Sequence, residues 1–341
     1  MGRAESYDDL MDQAWDALEA ERAEEALGLC DRALRLEPKG PDAHYVRGRA
    51  LWDLEREDEA VAEFDRCLAL DDAYYEAMLA KAAAVLEMGE DPEEAVALCD
   101  RALACDPDTE SEVWAYELKV DGLMNAGRSD QALRAAERAL RTSPDQASLH
   151  VLHAWVLYSL THFREAEAAV EEGLRGEPDN AYAVNLRAKI WQRLGKTEAA
   201  ERDFRRAARL APDEYRVPIR LSPREFEALI REALRDIPLP FRAHLENVQV
   251  SAMEFPSEDL VREGLSPDLL GVYQGVTVHE RDRGVFPDKI ILFQRTLENV
   301  CGTREELRHE IVVTVRHEVG HHFGLSEDEL ARIEYGSRNG N

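Results

Sequence analysis

Several things are scarce in this 341-residue chain. The five cysteines, Cys30, Cys67, Cys99, Cys105 and Cys301, are odd in number and form no C-x-x-C pair. That argues against a disulfide framework and against a cysteine zinc site. No window approaches the uninterrupted apolar length that spans a bilayer, and the charged opening, residues 1–26, has no apolar signal region. A soluble, unexported, cytoplasmic protein is expected. Basic residues are also in deficit, 42 against 70 acidic ones, for a net charge of -28. Such a field opposes binding to nucleic acid phosphates and to anionic membrane surfaces; its plain consequence is solubility, and the alternative is an acidic groove that attracts basic segments of a partner.

A repeat is present instead. When the chain is aligned on Pro38, Asp72, Pro107, Pro144, Pro178 and Pro212, an alanine stands twelve residues before each: Ala26, Ala60, Ala95, Ala132, Ala166 and Ala200. Five residues before each anchor the side chain is again small, as Ala33, Cys67, Ala102, Ala139, Gly173 and Ala207. A third small position recurs at Ala14, Gly48, Ala83, Ala154 and Ala188, and is unclear in the fourth repeat around Val120 to Gly122. The third and fourth repeats carry small insertions.

Small residues at fixed spacing let two antiparallel helices pack closely, and the closing proline ends the second helix of each pair. The pattern resembles the tetratricopeptide repeat family over roughly residues 7 to 212, as six repeats. The resemblance implies an all-α superhelix whose concave face binds a protein or peptide partner, although the array could instead pack against the domain C-terminal to it. Cys30 and Cys99 occupy equivalent repeat positions and read as small core residues.

The period stops at Ala211-Pro212 to Val217-Pro218, so the expected division is a repeat domain of residues 1–214 and a second domain of residues 215–341. Ser222-Pro223-Arg224-Glu225 is a helix start with a capping box, and the helix runs through Arg235. Strands are expected over 247–255, after the turn in 267–276, and over 287–294. A last helix opens at the capping box Thr303-x-x-Glu306 and continues to Phe323, with Gly324 as its stop.

That helix carries His317-Glu318-Val319-Gly320-His321. Its segment Ile311 to Val315 is β-branched and could be a strand by itself. On a strand the two histidines would be about 13 Å apart; on a helix they are separated by about 6 Å along the axis and can share one ion. Helix is therefore expected. Gly324 permits a reversal that returns Glu327 to the same ion as a third ligand, with Asp328 as the alternative. Three protein ligands with an open position is the arrangement of a catalytic zinc site. Glu318, beside a ligand, is expected to be the general base that takes a proton from the activated water. His322 lies about 100° around the helix from His321, and His309, two turns upstream, is expected on the surface. Tyr273, His309, Arg316 and Tyr335 are candidates to hold the oxyanion, none of them placed by spacing.

From Leu221 onward the chain resembles the minimal zincin-like metallopeptidases. The residues that carry this are Leu270-Gly271-Val272-Tyr273-Gln274-Gly275, Pro287 to Phe293, and His317-Glu318-x-x-His321-His322-Phe323-Gly324-Leu325-Ser326-Glu327. The resemblance implies an α+β core with Zn2+ on two histidines and an acidic third ligand, here Glu327 where the family more often has aspartate. The joint expectation is a zinc-dependent peptidase served by a protein-binding array. The alternative is a non-enzymatic repeat adaptor whose small domain is stabilised by zinc.

Overall fold

The structure, a computed structural model, describes residues 5–237, 248–274 and 288–322, and of Asp236, Asp288, His321 and His322 the backbone only. Twelve helices come first, in six pairs: α1 (Tyr7–Glu19) with α2 (Ala23–Leu36), α3 (Pro41–Asp53) with α4 (Glu57–Leu70), and α5 (Tyr75–Glu87) with α6 (Pro92–Ala104). The remaining pairs are α7 (Thr109–Asn125) with α8 (Ser129–Thr142), α9 (Ala147–Ser159) with α10 (Phe163–Gly176), and α11 (Ala181–Arg193) with α12 (Thr197–Leu210). The small positions read from the period are the contacts between helices, except that in the third repeat the position falls on the fully buried Ala82 and not on Ala83, which is only partly buried. Ala14, Ala26, Ala33, Ala154 and Ala188 are fully buried. At Gly48 a Cβ would stand 2.5 Å from the Phe64 ring, so the ring of α4 lies directly on the backbone of α3. Cys30 and Cys99 are buried, as their repeat positions imply, and burial pushes both thiols up to about 12.

The turn inside each pair passes through one left-handed residue: Glu21, Glu55, Gly89, Gly127, Thr161 and Gly195. Successive turns are 34 residues apart except between Gly89 and Gly127, where the step is 38. The four additional residues are all in α7, which has 17 residues where the first helix of every other pair has 13. This is why the fourth repeat reads poorly. Val120 stands buried where the other repeats have a small residue, and Gly122 makes the close approach, a Cβ there falling 2.9 Å from Val96 and 3.2 Å from the Pro92 carbonyl.

Thr161, at φ 63°, is β-branched in a conformation that costs an L residue about 1–2 kcal/mol. Glycine there removes that strain and adds about 0.5–1 kcal/mol of backbone entropy lost on folding. Thr161→Gly should therefore stabilise by about 0.5–1 kcal/mol and raise Tm by about 1–3 °C in a thermal melt. A lower Tm would show that the threonine side chain makes a compensating contact.

The chain divides into two compact units, Met1–Val156 and Leu157–Asn341. The second holds the last repeats together with everything after them. Its C-terminal part comprises α13 (Pro223–Asp236), β1 (Val248–Met253), α14 (Glu258–Arg262), β2 (Gly271–Gln274), β3 (Asp288–Phe293), α15 (Gln294–Val300) and α16 (Arg304–His322). Both capping boxes form, at Ser222 with Glu225 and at Thr303 with Glu306. The described strands lie in the order β1-β3-β2, β1 parallel and β2 antiparallel to β3, with Val250 and Tyr273 flanking Ile290. Ile290 and Leu292 point from β3 into one core with Phe226, Leu229 and Ile230 of α13. Leu307, Ile311, Val315 and Val319 of α16, four residues apart, complete it. The β-branched segment is helical within α16, and the four apolar residues lie on the face of that helix turned to the core.

Within the second unit the repeats and the C-terminal part are fastened by polar contacts. Asp268 accepts from Tyr158 Oη and from Lys189 Nζ, each at 2.7 Å. Burial, then the Asp268 charge, pushes the Tyr158 hydroxyl well above its ordinary range, which keeps it a donor. Gln192 and Asn299 exchange amide hydrogen bonds, and Arg193 donates to the Pro256 carbonyl while lying between the rings of Phe163 and Phe255. The last repeats thus do pack against the C-terminal part. Among the described residues no helix is long and apolar enough to cross a membrane.

Candidate functional site

α16 delivers His317 and Glu318 and, one turn further, the backbone of His321. The expectation that the motif is helical holds. His317 is half-buried, whereas Glu318 is only 8 % exposed. The Glu318 carboxylate is met by β2: the Tyr273 N–H donates to Glu318 Oε2 at 2.7 Å. A backbone donor of this kind fixes a carboxylate in orientation as no mobile side chain would. β2 is fixed in its turn. Phe293 N–H donates to the Leu270 carbonyl at 2.9 Å, and Thr296 Oγ1 to the Leu269 carbonyl at 2.8 Å.

The approach of β2 to α16 depends on Gly271. A Cβ at that position would stand 2.7 Å from Thr314 Cγ2, and Thr314 is itself buried one helical turn before Glu318. Gly271 stood in the sequence only within the string that carries the zincin-like resemblance, with no role of its own, Thr314 carried no signal, and a backbone N–H carries none anywhere. Tyr273 was an oxyanion candidate, and what the structure brings to the site is its main-chain amide.

Of the other sequence candidates, His309 is exposed, as expected, and Arg316 is partly buried on α16. Glu327, its alternative Asp328, the stop at Gly324 and Tyr335 lie outside the described residues, as do the side chains of His321 and His322. Among the described residues there is no group of three His, Cys, Asp or Glu side chains that could hold a metal ion. The residues that are described fit a metal centre as far as they go. Two histidine positions lie four apart on an observed helix, and the acid between them is fixed in orientation by a strand. A cavity of about 210 Å³ in the same unit, lined by Lys189, Tyr215, Arg216, Asp268, Thr296 and Asn299 among others, does not include these residues.

Residues 245–337 match the family model of the zincin-like metallopeptidases. Tetratricopeptide repeat models match residues 11–75, 58–109, 123–190 and 181–214. Among solved structures, the pilF protein of Pseudomonas aeruginosa is similar at 20 % identity and a TM-score of 0.53, over 65 % of this chain and 96 % of that one. PilW, a type IV pilus biogenesis factor, is similar at 20 % identity and a TM-score of 0.55, over 61 % of this chain and 94 % of its own. Likenesses at this identity speak for the fold alone.

Proposed function

We propose that this fusion of a tetratricopeptide repeat array with a zincin-like metallopeptidase domain is a cytoplasmic, zinc-dependent peptidase. Residues 1–214 recruit a protein partner or substrate, and residues 215–341 hydrolyse the peptide bond. The observation that carries the reading is the buried Glu318 carboxylate, held by the Tyr273 N–H on the helix that also bears His317 and His321. His317, His321 and Glu327 are the metal ligands in this reading. Bound zinc would supply a Lewis acid that polarises the scissile carbonyl and lowers the pKa of water.

The remaining work falls to the chain itself. Glu318 accepts a proton as water adds to the carbonyl carbon, then gives it to the amine nitrogen as the carbon–nitrogen bond breaks. A carboxylate fixed by a main-chain donor is pre-oriented for both transfers, and its burial keeps bulk water from competing. The array contributes recruitment, and the net charge of -28 favours basic segments in whatever it recruits.

Purified protein should carry one zinc ion per chain by elemental analysis. Supporting groups around a metal already account for about 10–100-fold in affinity, so His317→Ala, which removes a ligand outright, should weaken zinc binding by more than about 100-fold. Wild type should cut members of a peptide library. Protein that binds zinc, loses melting temperature on His317→Ala, retains partner binding and cuts nothing would instead be the repeat adaptor with a zinc-stabilised domain.

A further inference from the structure

We infer that Gly271 is a positioning residue: its missing side chain, seated on Thr314, sets the distance at which β2 presents the Tyr273 N–H to Glu318. The inference rests on the reading of Glu318 as the proton acceptor.

Two contacts lie side by side where β2 passes α16. One is Gly271 on Thr314, the other Tyr273 N–H on Glu318. They are separated by four residues on the helix and two on the strand. Four helical residues advance about 6 Å and two strand residues about 6.6 Å, so helix and strand stay in step from the first contact to the second. The separation at Gly271 is therefore handed on to Tyr273 with little room for correction.

The strand has no easy way to absorb a methyl group. A Cβ at position 271 would fall 2.7 Å from Thr314 Cγ2, 3.2 Å from Leu292 Cδ2 and 3.3 Å from the Ile291 carbonyl oxygen. Leu292 and Ile291 belong to β3, and Gly271 pairs with Leu292 in the register. Retreat within the sheet is thus opposed by the ladder, and Thr314 and Leu292 are both buried in the core. The remaining movement lifts β2 off α16. A hydrogen bond of 2.7 Å does not survive a displacement of about 1 Å with its geometry intact.

The same clash can be relieved from the helix side. Thr314→Ala removes the methyl that Gly271 avoids, so Gly271→Ala with Thr314→Ala moves one methyl from helix to strand and loses besides only the Thr314 hydroxyl, which is buried without a hydrogen-bond partner. The test measures amide exchange at Tyr273, peptide hydrolysis and zinc content in G271A, T314A and the double variant. In G271A, exchange at Tyr273 should rise by at least about tenfold and kcat fall by about 10–100-fold, with zinc retained. T314A should stay within about threefold of wild type in both, and the double variant should return to about that range. G271A indistinguishable from wild type, or a double variant no better than G271A, overturns the inference. If G271A is insoluble, a folded double variant with Tyr273 protected supports the inference, and insolubility of both overturns it. Absence of hydrolysis by wild type would defeat the peptidase reading by itself, while the exchange measurements would still decide the positioning.

Discussion

Replacing Glu318 by glutamine is expected to lower kcat for peptide hydrolysis by about 10²–10⁴-fold, the range a general base contributes, while zinc stays bound. Glutamine has the same shape, and its amide oxygen can take the Tyr273 N–H that now reaches Glu318 Oε2 at 2.7 Å. The side chain is only 8 % exposed, so replacing a charge by a neutral amide there also relieves desolvation. Melting temperature should therefore be kept or slightly raised. The amide cannot accept a proton at working pH, so the substitution removes the base together with its charge while keeping its shape. Elemental analysis, a melt and steady-state kinetics on one preparation are sufficient. Unchanged hydrolysis would remove Glu318 from the chemistry, and zinc lost together with activity would make it a ligand.

The second large effect is on stability and is centred on Glu298. This carboxylate on α15 is fully buried. It accepts from the Leu221 N–H at 3.1 Å, Gln294 Nε2 at 2.7 Å and Arg295 Nη1 at 2.9 Å, with Arg220 Nη1 at 3.5 Å. Arg220 reaches onward to Glu201 of α12 at 2.6 Å and to Asn299 at 2.9 Å, and lies over the Phe204 ring. Glu298→Ala strands the Leu221 N–H beside a cavity and takes the buried charge from two arginines, while Gln294 keeps the Leu221 carbonyl, Arg295 keeps Glu254 and Arg220 keeps Glu201 and Asn299. Removing one partner of a buried charge pair costs about 3–5 kcal/mol, and that loss should appear in native-state hydrogen exchange across β1, β3 and α16. Glu298→Gln, which keeps an acceptor oxygen, should lose less. A change below about 1 kcal/mol for the alanine variant would mean that water replaces the carboxylate without strain.

What could be read beforehand came from local chemistry repeated or capped in a recognisable way. Six helix pairs were legible because close helix packing demands small residues at fixed intervals, and Ala26, Ala60 and their equivalents supply them. α16 was legible in spite of its β-branched middle, because Thr303 and Glu306 cap it and the histidine spacing makes sense only on a helix. The partners of these elements were not legible. Nothing near Glu318 in the chain announces the Tyr273 N–H, since main-chain groups are the same at every position. Asp268 and Glu298 look like any surface acid until the fold places Tyr158, Lys189 and Arg220 beside them. The extra turn of α7 blurred the fourth repeat for a related reason, because four residues added to a helix shift every later side chain around its axis.

The seam at Asp268 bears on how such a chain can be reshuffled by recombination. A break at residue 214/215 looks neutral in the sequence, but it leaves Tyr158, Lys189, Gln192 and Arg193 on one fragment and their partners Asp268, Asn299 and Pro256 on the other. A break just ahead of α9 keeps all of these together, within the unit that begins at Leu157 apart from the first turns of that helix. The C-terminal part therefore keeps its polar partners only when it is carried together with the last two repeats.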